Sequence, residues 1–286
     1  MTKVLVFPSS ESLISSINDD VDGYIIGINN LSVNCPFNVD VEDISQIIDN
    51  NIKKDIFISL NKNIFNEDLN YLEEVLNKIS KLKVAGIFYY DVSVLHLVKK
   101  LDIKIPLVWA QEHLTTNYLT CNYYYDKGVK YAYLSSEITL NEVIEISEKS
   151  KISVIVPLFG YLPMFNSKRH IVKNYLDTFS LNSDEKIFYM EKENNYYPIV
   201  DDVIGTTVYG SNILNGLSDF DKLCEKNISY ITLNSFNIDE NTFKKVLIFF
   251  KNKDYSKIDE LFKNTDKGFL YKETIYKVKK DGKKDN

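Results

Sequence analysis

The sequence is poor in residues on which several protein classes depend. Its 286 residues contain three cysteines, one tryptophan and, among 34 basic residues, a single arginine, Arg169. Cys35, Cys121 and Cys224 are too few and too widely spaced for a disulfide framework or for a four-thiolate cluster inside this chain. No run approaches the roughly 18 apolar residues of a membrane span, and the N-terminus has no apolar signal-peptide core. We therefore expect a reduced, cytoplasmic protein without a membrane segment.

Metal and nucleotide motifs are missing as well. The sequence has no His-x-x-His, Cys-x-x-Cys or His-Glu-x-x-His spacing, so no local metal site is predicted. The first predicted strand runs into Pro8-Ser9-Ser10-Glu11, which is not a glycine-rich turn that cradles phosphate. A net charge of −6, from 34 basic and 40 acidic residues, argues against polyanion binding over the whole surface but is compatible with a local basic patch that meets RNA.

The chain instead alternates short β-branched and aromatic runs with segments of helical apolar spacing. Runs such as 23–28 are apolar throughout, as expected of parallel strands that are covered on both faces. Strands are predicted at 3–7, 23–28, 55–60, 84–89, 105–109, 130–134, 152–156 and 229–233, and helices at 9–18, 41–51, 66–81, 92–100, 117–127, 141–150, 218–226 and 240–251. These eight repeats predict an α/β fold, an eight-stranded parallel β/α (TIM-like) barrel.

The regular spacing breaks between the seventh and eighth predicted strands, where the gap is about twice the usual repeat. We interpret 157–217 as an insertion with extended pieces at 186–189 and 206–209. The insertion belongs to a single barrel domain over 1–280, which is followed by a polar tail at 281–286. Long insertions in barrels usually lie at the carboxyl ends of the strands, where function is built.

Side chains that follow the strand ends surround the mouth of a barrel. Here they are mostly amides and hydroxyls, which orient a polar ligand but transfer protons poorly. Glu112 and Glu137 follow neighbouring predicted strands, so a close carboxylate pair is one hypothesis for acid–base catalysis. The alternative is that each carboxylate caps a helix or pairs with a lysine. His113 either faces the mouth or caps a helix, whereas His96 is expected to pack in the core.

Ser167, Lys168, Arg169 and His170 form the densest cationic cluster near the predicted mouth. A guanidinium beside an ammonium is suited to hold a phosphate or a carboxylate. The alternative is a run of loop charges in solvent. The survival of arginine in a chain that otherwise uses lysine favours the binding role.

Two aromatic runs, Tyr123-Tyr124-Tyr125 and Tyr196-Tyr197, could stack on nucleobases. A helix over 117–127 must bury one face on the barrel, so most of the tyrosines in the first run are expected in the core.

Several motifs follow one another along the second half of the chain. They include Trp109-Ala110-Gln111-Glu112, Thr116-Asn117, Cys121-Asn122-Tyr123, Leu134-Ser135-Ser136-Glu137, Asn166-Ser167-Lys168-Arg169, Tyr197-Pro198-Ile199 and Gly268-Phe269-Leu270-Tyr271. Together they resemble peptidase family U32, the collagenase-like peptidases, from about Val84 to Lys280. The resemblance is greatest to short members that are linked to prephenate-dependent 5-hydroxylation of the wobble uridine in tRNA.

The resemblance implies a barrel-like fold and a cytoplasmic location. It also implies subunit pairing, since better-studied members work as pairs and carry an iron–sulfur cluster on four cysteines. The segment Phe159-Gly160-Tyr161-Leu162-Pro163 stands where such members have a His-Gly-Met-x-Cys stretch, so the cluster cysteines are absent from this chain. The family label itself denotes a peptidase of unknown catalytic type.

The leading hypothesis is a part in tRNA wobble-uridine 5-hydroxylation, as the cluster-free subunit of a pair with a longer, cysteine-rich family paralogue. We expect no cofactor or metal in this chain itself, an iron–sulfur cluster only on the partner, tRNA as the RNA and prephenate as a candidate co-substrate. The candidate catalytic residues are Glu112 and Glu137, and the candidate ligand-binding residues are Trp109, Asn117, Ser167, Lys168 and Arg169. The alternatives are a collagenase-like peptidase and a non-catalytic interaction protein.

Overall fold

The computed structural model describes residues 2–111, 113–224 and 226–272. The candidate catalytic residue Glu112 and the predicted tail 281–286 lie outside the described residues.

Within these ranges the chain forms thirteen strands and ten α-helices, and each predicted strand and helix overlaps one of them. The strands are β1 (Lys3–Phe7), β2 (Gly23–Ile28), β3 (Asn38–Val39), β4 (Asp55–Leu60), β5 (Gly86–Tyr89), β6 (Leu107–Trp109), β7 (Tyr131–Tyr133), β8 (Ser153–Ser167), β9 (Phe188–Lys192), β10 (Asn195–Asp202), β11 (Gly205–Asn215), β12 (Ile228–Asn234) and β13 (Thr265–Asp266). The helices are α1 (Glu11–Ile17), α2 (Ile44–Asn50), α3 (Leu69–Ile79), α4 (Val92–Lys100), α5 (Tyr118–Asp126), α6 (Leu140–Lys149), α7 (Ile171–Thr178), α8 (Phe220–Cys224), α9 (Glu240–Lys251) and α10 (Tyr255–Glu260).

Eight of these strands close into a parallel barrel. Strands β1, β2, β4, β5, β6, β7 and β8 follow one another as hydrogen-bonded neighbours, and β12 closes the ring by pairing with both β8 and β1. The predicted TIM-like barrel is confirmed. Strands β9, β10 and β11 lie outside the ring as an antiparallel extension of the same sheet.

Several helices begin at capping side chains that the sequence supplies. At the start of α6, Thr139 accepts a hydrogen bond from the backbone N–H of Glu142 at 3.3 Å, and the Glu142 carboxylate accepts one from the backbone N–H of Thr139 at 2.7 Å. Asp91 and Asp239 cap α4 and α9 through their own carboxylates. Each cap satisfies an amide that the first helical turn leaves unpaired, which is why the helices start at these residues.

Alternation along the strands divides the apolar side chains between two cores. In β1, for example, Leu5 belongs to the barrel lumen, whereas Val6 belongs to the layer between the barrel and the helices. The lumen is filled by aromatic rings, and Phe57 makes edge-to-face contacts with Phe88 at 5.6 Å and with Tyr230 at 5.3 Å. The barrel interior is therefore a packed core and not a channel.

Strand β8 is longer than predicted, because the chain does not leave the sheet after Val156. Up to Phe159 it pairs in parallel with β7 and β12, and from Phe159 to Ser167 it pairs antiparallel with β11. Pro157 and Pro163 read as strand breaks in the sequence. Each lies beside a register irregularity at which β8 has one more residue than the neighbouring strand, and a missing N–H is tolerated there.

The antiparallel pairing of β8 with β11 depends on a glycine. Gly205 has φ +139, and a Cβ at that position would lie 2.0 Å from the carbonyl oxygen of Ser167. Only glycine allows β11 to start so close to the end of β8. This close approach brings Ser167 and Lys168 to the carboxyl end of the barrel.

The last described segment is anchored by a buried carboxylate. Asp219, in a short 3-10 turn over Leu217–Asp219, accepts hydrogen bonds from Lys222 Nζ at 2.7 Å and from the Tyr271 hydroxyl at 2.6 Å. Burial alone would raise the pKa of Asp219, but the hydrogen bonds from Lys222 and Tyr271 outweigh it and hold the pKa below its usual value. Asp219 therefore stabilises the fold as an anion.

None of the helices in the described ranges is both long and apolar enough to cross a membrane.

We predict that Asp219→Asn lowers the free energy of unfolding at neutral pH by about 2 kcal/mol, since it weakens two charge-assisted hydrogen bonds. A depressed carboxyl pKa contributes stability above its unfolded value of about 3.9, and that contribution disappears as the pH falls through the lower folded value. The difference between wild type and variant should thus shrink below about pH 4 in denaturant titrations. Asp221→Asn is the matched control, because Asp221 forms an exposed pair with Lys253 and should change stability by less than about 1 kcal/mol. Equal effects of the two substitutions would contradict the anchoring role.

Candidate functional site

The carboxyl ends of the barrel strands open into neighbouring cavities. A cavity of about 250 Å³ lies between the loop that follows β2, the residues after β4 and β5, and the ends of β8 and β11. A second cavity, of about 490 Å³, lies between the same loop, strands β10 and β11, and the residues after β12. A well of about 40 Å³ reaches from the mouth into the lumen. This mouth is where ligands bind in proteins of this architecture.

The cations at the first cavity are already neutralised. Lys62 donates a hydrogen bond to Asp68 at 2.8 Å, and its side chain is only 14% exposed. Burial alone would raise the pKa of Asp68, but the hydrogen bond from Lys62 outweighs it and holds the pKa below its usual value. Lys168 pairs with Glu67 at 2.8 Å, and its ammonium lies 4.0 Å from the centre of the Phe65 ring. The cavity thus favours a neutral polar ligand over a free anion.

The rest of the lining is mostly amides, hydroxyls and aromatic rings, together with the carboxylate of Asp202 and the imidazole of His113. It includes Asn34, Asn61, Asn63, Tyr90, Phe165, Asn166, Ser167, Thr206 and Thr207. Such a set makes hydrogen bonds to the edge of a polar molecule and contacts to its faces, which positions the ligand without supplying a strong nucleophile.

Asn34 is among the lining residues that sequence reasoning missed, as are Asp202 and Thr207. It lines all three cavities, and its buried Oδ1 has no hydrogen-bond partner among the described residues. Its backbone is left-handed, at φ 59, and Asn61 holds the loop by donating to the carbonyl of Val33 at 2.8 Å and accepting from its N–H at 2.9 Å. A buried acceptor without a donor is costly, so Asn34 is placed to accept a hydrogen bond from a ligand. The sequence does not predict this role of Asn34, because the role depends on a left-handed backbone angle that no sequence motif indicates.

The predicted cationic cluster is split by the structure. Ser167 and Lys168 line the first cavity. The exposed guanidinium of Arg169 does not line it and makes no hydrogen bond or ion pair with any described residue. His170 turns to Asp201 instead, with 2.9 Å between Nδ1 and Oδ1. Of the three predicted binding residues in the cluster, two face the cavity and Arg169 faces solvent beside it.

Glu137 lies at the mouth with a histidine as its described neighbour. Its carboxylate is 3.8 Å from Nδ1 of His113, and both side chains are about half exposed. His113 lines the first cavity, so it takes the mouth-facing position and not the cap. A carboxylate beside an imidazole can orient the ring, so this pair is one candidate for proton transfer at the mouth, and the carboxylate of Asp202, which lines the cavity, is another.

Trp109 and Asn117 lie away from the cavity. Trp109 is buried in the layer between barrel and helices, where its ring stacks on Tyr124 with centroids 3.9 Å apart. Strand alternation explains this, because Val108 points into the lumen and Trp109 must point outward. Asn117 is exposed and caps α5 by accepting a hydrogen bond from the N–H of Thr120 at 2.9 Å.

Two expectations about packing are wrong. His96 is exposed, because α4 buries Val94, Leu95, Leu97 and Val98 and turns the residue between them to solvent. In the first aromatic run, Tyr123 and Tyr125 are 57% and 46% exposed. Only the middle tyrosine of the three packs inward, on Trp109.

The described cysteines do not fit an iron–sulfur cluster. Cys35 lies with the lumen residues at the mouth, whereas Cys121 is buried in the helix layer and Cys224 ends α8. No group of three or more His, Cys, Asp or Glu side chains in the described ranges could hold a metal ion. Burial raises the pKa of the Cys121 thiol to about 11, so Cys121 is not an activated nucleophile.

We predict that Asn34→Gly removes the hydrogen bond to a ligand in the cavity without unfolding the protein. Glycine tolerates the left-handed backbone, so the free energy of unfolding should stay constant or rise by up to about 1 kcal/mol. When the variant gene is introduced into a strain whose own copy of the gene is deleted, it should nevertheless restore the lost function poorly. Asn30→Gly is the matched control, because Asn30 also has a positive φ of 65 but lines none of the three cavities. If both variants complement equally well, the amide of Asn34 has no role in binding.

Comparison with known proteins places these features in a family. The model for peptidase family U32 matches residues 9–281. tRNA hydroxylation protein P2 of Bacillus subtilis is 25% identical over 248 residues, which cover 83% of this chain and 79% of that protein. Shorter matches, each 29% identical, link the chain to an uncharacterized protease of Methanocaldococcus jannaschii and to tRNA hydroxylation protein P of Helicobacter pylori. The first covers 48% of this chain and 33% of the relative, and the second covers 34% and 23%. Because the family match spans nearly all of the sequence, the chain belongs to peptidase family U32.

Proposed function

We propose that this chain takes part in 5-hydroxylation of the wobble uridine of tRNA, as the RNA-binding, cluster-free subunit of a pair with a cysteine-rich family member. The observation that carries the proposal is the similarity to tRNA hydroxylation protein P2, which extends over 83% of this chain and 79% of that relative. A match over most of both chains favours a shared role more than a match confined to one motif does.

The chemistry of the mouth supports a binding role for a nucleoside. A uracil edge offers both donors and acceptors, and the lining supplies amides such as Asn34 and Asn63 together with hydroxyls such as Thr207. The aromatic rings of Tyr90 and Phe165 are available for contacts to the faces of a base. His113 and Glu137 are candidate groups for proton transfer at this site.

Prephenate, the candidate co-substrate, suits this cavity less well. It carries two carboxylates, and the cavity cations Lys62 and Lys168 are already paired with Asp68 and Glu67. Arg169 lies beside the cavity without an ion pair to any described residue, and it suits a phosphate at the rim. We assign prephenate and the redox chemistry to the partner subunit, since the cysteines of this chain do not fit a cluster.

The sheet edge supports subunit pairing. Strand β9 is the last strand of the sheet, and within the described part of the chain its outer edge has no partner strand. Tyr189 and Met190 on this strand and Val203 beyond β10 are 53%, 44% and 80% exposed. Open edges and exposed aromatic or methionine side chains are features of protein interfaces.

The peptidase alternative rests on the family name and on the name of one relative. The Cys121 thiol does not favour it, because this thiol is buried and its pKa is raised. Purified protein, alone and mixed with the paralogue, should leave gelatin intact across a series of divalent metals. Cleavage that disappears with the Glu137→Gln variant would instead establish a peptidase.

We predict that deletion of the gene lowers the 5-hydroxyuridine content of tRNA, measured by mass spectrometry of nucleosides, and that the wild-type gene restores it. Undiminished 5-hydroxyuridine in the deletion strain would contradict the proposal.

The pairing has its own test, in a host whose tRNA lacks 5-hydroxyuridine. This chain and its cysteine-rich paralogue should produce the modified nucleoside only when they are expressed together. Full modification by the paralogue alone would remove the subunit role proposed for this chain.

A further inference from the structure

Helix α7 presents an apolar face to solvent. Ile171, Tyr175 and Phe179 follow one another at intervals of four residues and therefore share one face at the start, middle and end of the helix. They are 45%, 57% and 60% exposed, whereas Val172 on the other side is buried. The rings of Tyr175 and Phe179 are in contact, with centroids 4.8 Å apart and planes at 49°. Two exposed rings side by side offer stacking surfaces.

Unpaired cations lie next to these rings. Lys168, Arg169 and Lys173 precede the first acidic residue of α7, Asp177, in a chain whose net charge is −6. Of the three cations, Lys168 is paired with Glu67. The side chains of Arg169 and Lys173 are exposed and make no ion pair with the described residues. This concentration of positive charge complements phosphate groups.

Hydrogen bonds from Asp201 and Thr206 hold the start of α7 in place. The carboxylate of Asp201, which is 6% exposed, bonds His170 at 2.9 Å and the backbone N–H of Lys173 at 3.0 Å. The Thr206 hydroxyl donates to the carbonyl of Arg169 and accepts from the N–H of Ile171, both at 2.8 Å. These bonds tie α7 to β10 and β11, so its exposed face is presented rigidly.

The same hydrogen bonds set α7 at the rim of the first cavity. Ser167 and Lys168 line the cavity and are followed directly by Arg169 and the helix. A chain that crosses α7 can therefore reach the mouth without leaving the protein surface.

We propose that this face of α7 is a docking surface for an unpaired stretch of RNA, whose bases stack on Tyr175 and Phe179 while its phosphates contact Arg169 and Lys173. Alternating aromatic and cationic contacts are how proteins hold single-stranded nucleic acid. The RNA continues over the rim, where a nucleotide turned out of its stack enters the cavity. This inference rests on the proposed function for the identity of the RNA as tRNA, and it adds the surface that holds the segment beside the target nucleotide.

Binding of a fluorescent anticodon stem–loop, with an unmodified uridine at the wobble position, tests the stacking contacts on the full chain. Tyr175→Ala and Phe179→Ala should each weaken binding by about 5- to 100-fold in fluorescence anisotropy titrations, the loss expected for one stacked base. Tyr125→Ala on α5 is the matched control, since Tyr125 is 46% exposed, and it should bind within twofold of wild type. Both α7 side chains are exposed, so unchanged circular dichroism and melting temperature should accompany the loss.

The salt dependence tests the phosphate contacts. Arg169→Gln and Lys173→Gln should each reduce the magnitude of the slope of log K against log salt by about 0.7. Lys83→Gln, an exposed lysine before β5 at the opposite end of the barrel, should leave the slope unchanged.

Three results would overturn the proposal. The first is binding by Tyr175→Ala and Phe179→Ala within twofold of wild type. The second is that the wild-type protein binds a fully double-stranded RNA of the same length as tightly as it binds the stem–loop. The third is that these variants no longer bind the cysteine-rich paralogue but still bind RNA, which would make α7 a protein interface. Reduced RNA binding by the α7 variants, found together with full 5-hydroxyuridine in the deletion strain, would keep the docking surface and reject the proposed function.

Discussion

The double pairing of β8 is the constraint on which the rest of the structure depends. Its first half closes the barrel between β7 and β12, and its second half leaves the ring to pair with β11. Gly160 lies where the two halves meet, at φ +118, and a Cβ there would be 2.5 Å from the carbonyl oxygen of Asn234. Because one continuous strand serves both the barrel and the insertion, the insertion is held at the mouth by backbone hydrogen bonds and not by a hinge.

That arrangement decides the chemistry of the mouth. The end of β8 brings Ser167 and Lys168 against the residues that follow β4, where Glu67 neutralises the lysine. The cavity is left with amides, hydroxyls, the buried acceptor of Asn34 and the side chains of His113 and Asp202, whereas the guanidinium of Arg169 stays outside at the start of α7. A polar pocket without an unpaired cation among its described lining residues, beside a cationic rim, suits a nucleoside whose phosphates remain at the surface.

The barrel could be predicted from the sequence because its strands are buried on both faces, and continuous apolar runs separate them clearly from the helices. The extension of β8 could not, because prolines such as Pro157 and Pro163 commonly end a strand, and here they are tolerated beside irregularities in the pairing of β8 with its neighbours. The site was predicted in part. Ser167 and Lys168 face the cavity as predicted. Trp109 points outward instead, because side chains alternate along a strand and its neighbour Val108 points into the lumen. The role of Asn34 could not be predicted from the sequence, since it depends on a loop whose position over the mouth is set by the fold.

A photo-crosslink tests the central claim, that the mouth receives the target nucleotide, most directly. tRNA with 4-thiouridine at the wobble position would be irradiated on the full protein, and the attached peptide would be identified by mass spectrometry. The account predicts attachment to residues that line the 250 Å³ cavity, such as Tyr90, His113 or Phe165. Attachment confined to the amino-terminal end of the barrel, near Lys83 or Lys130, would contradict it.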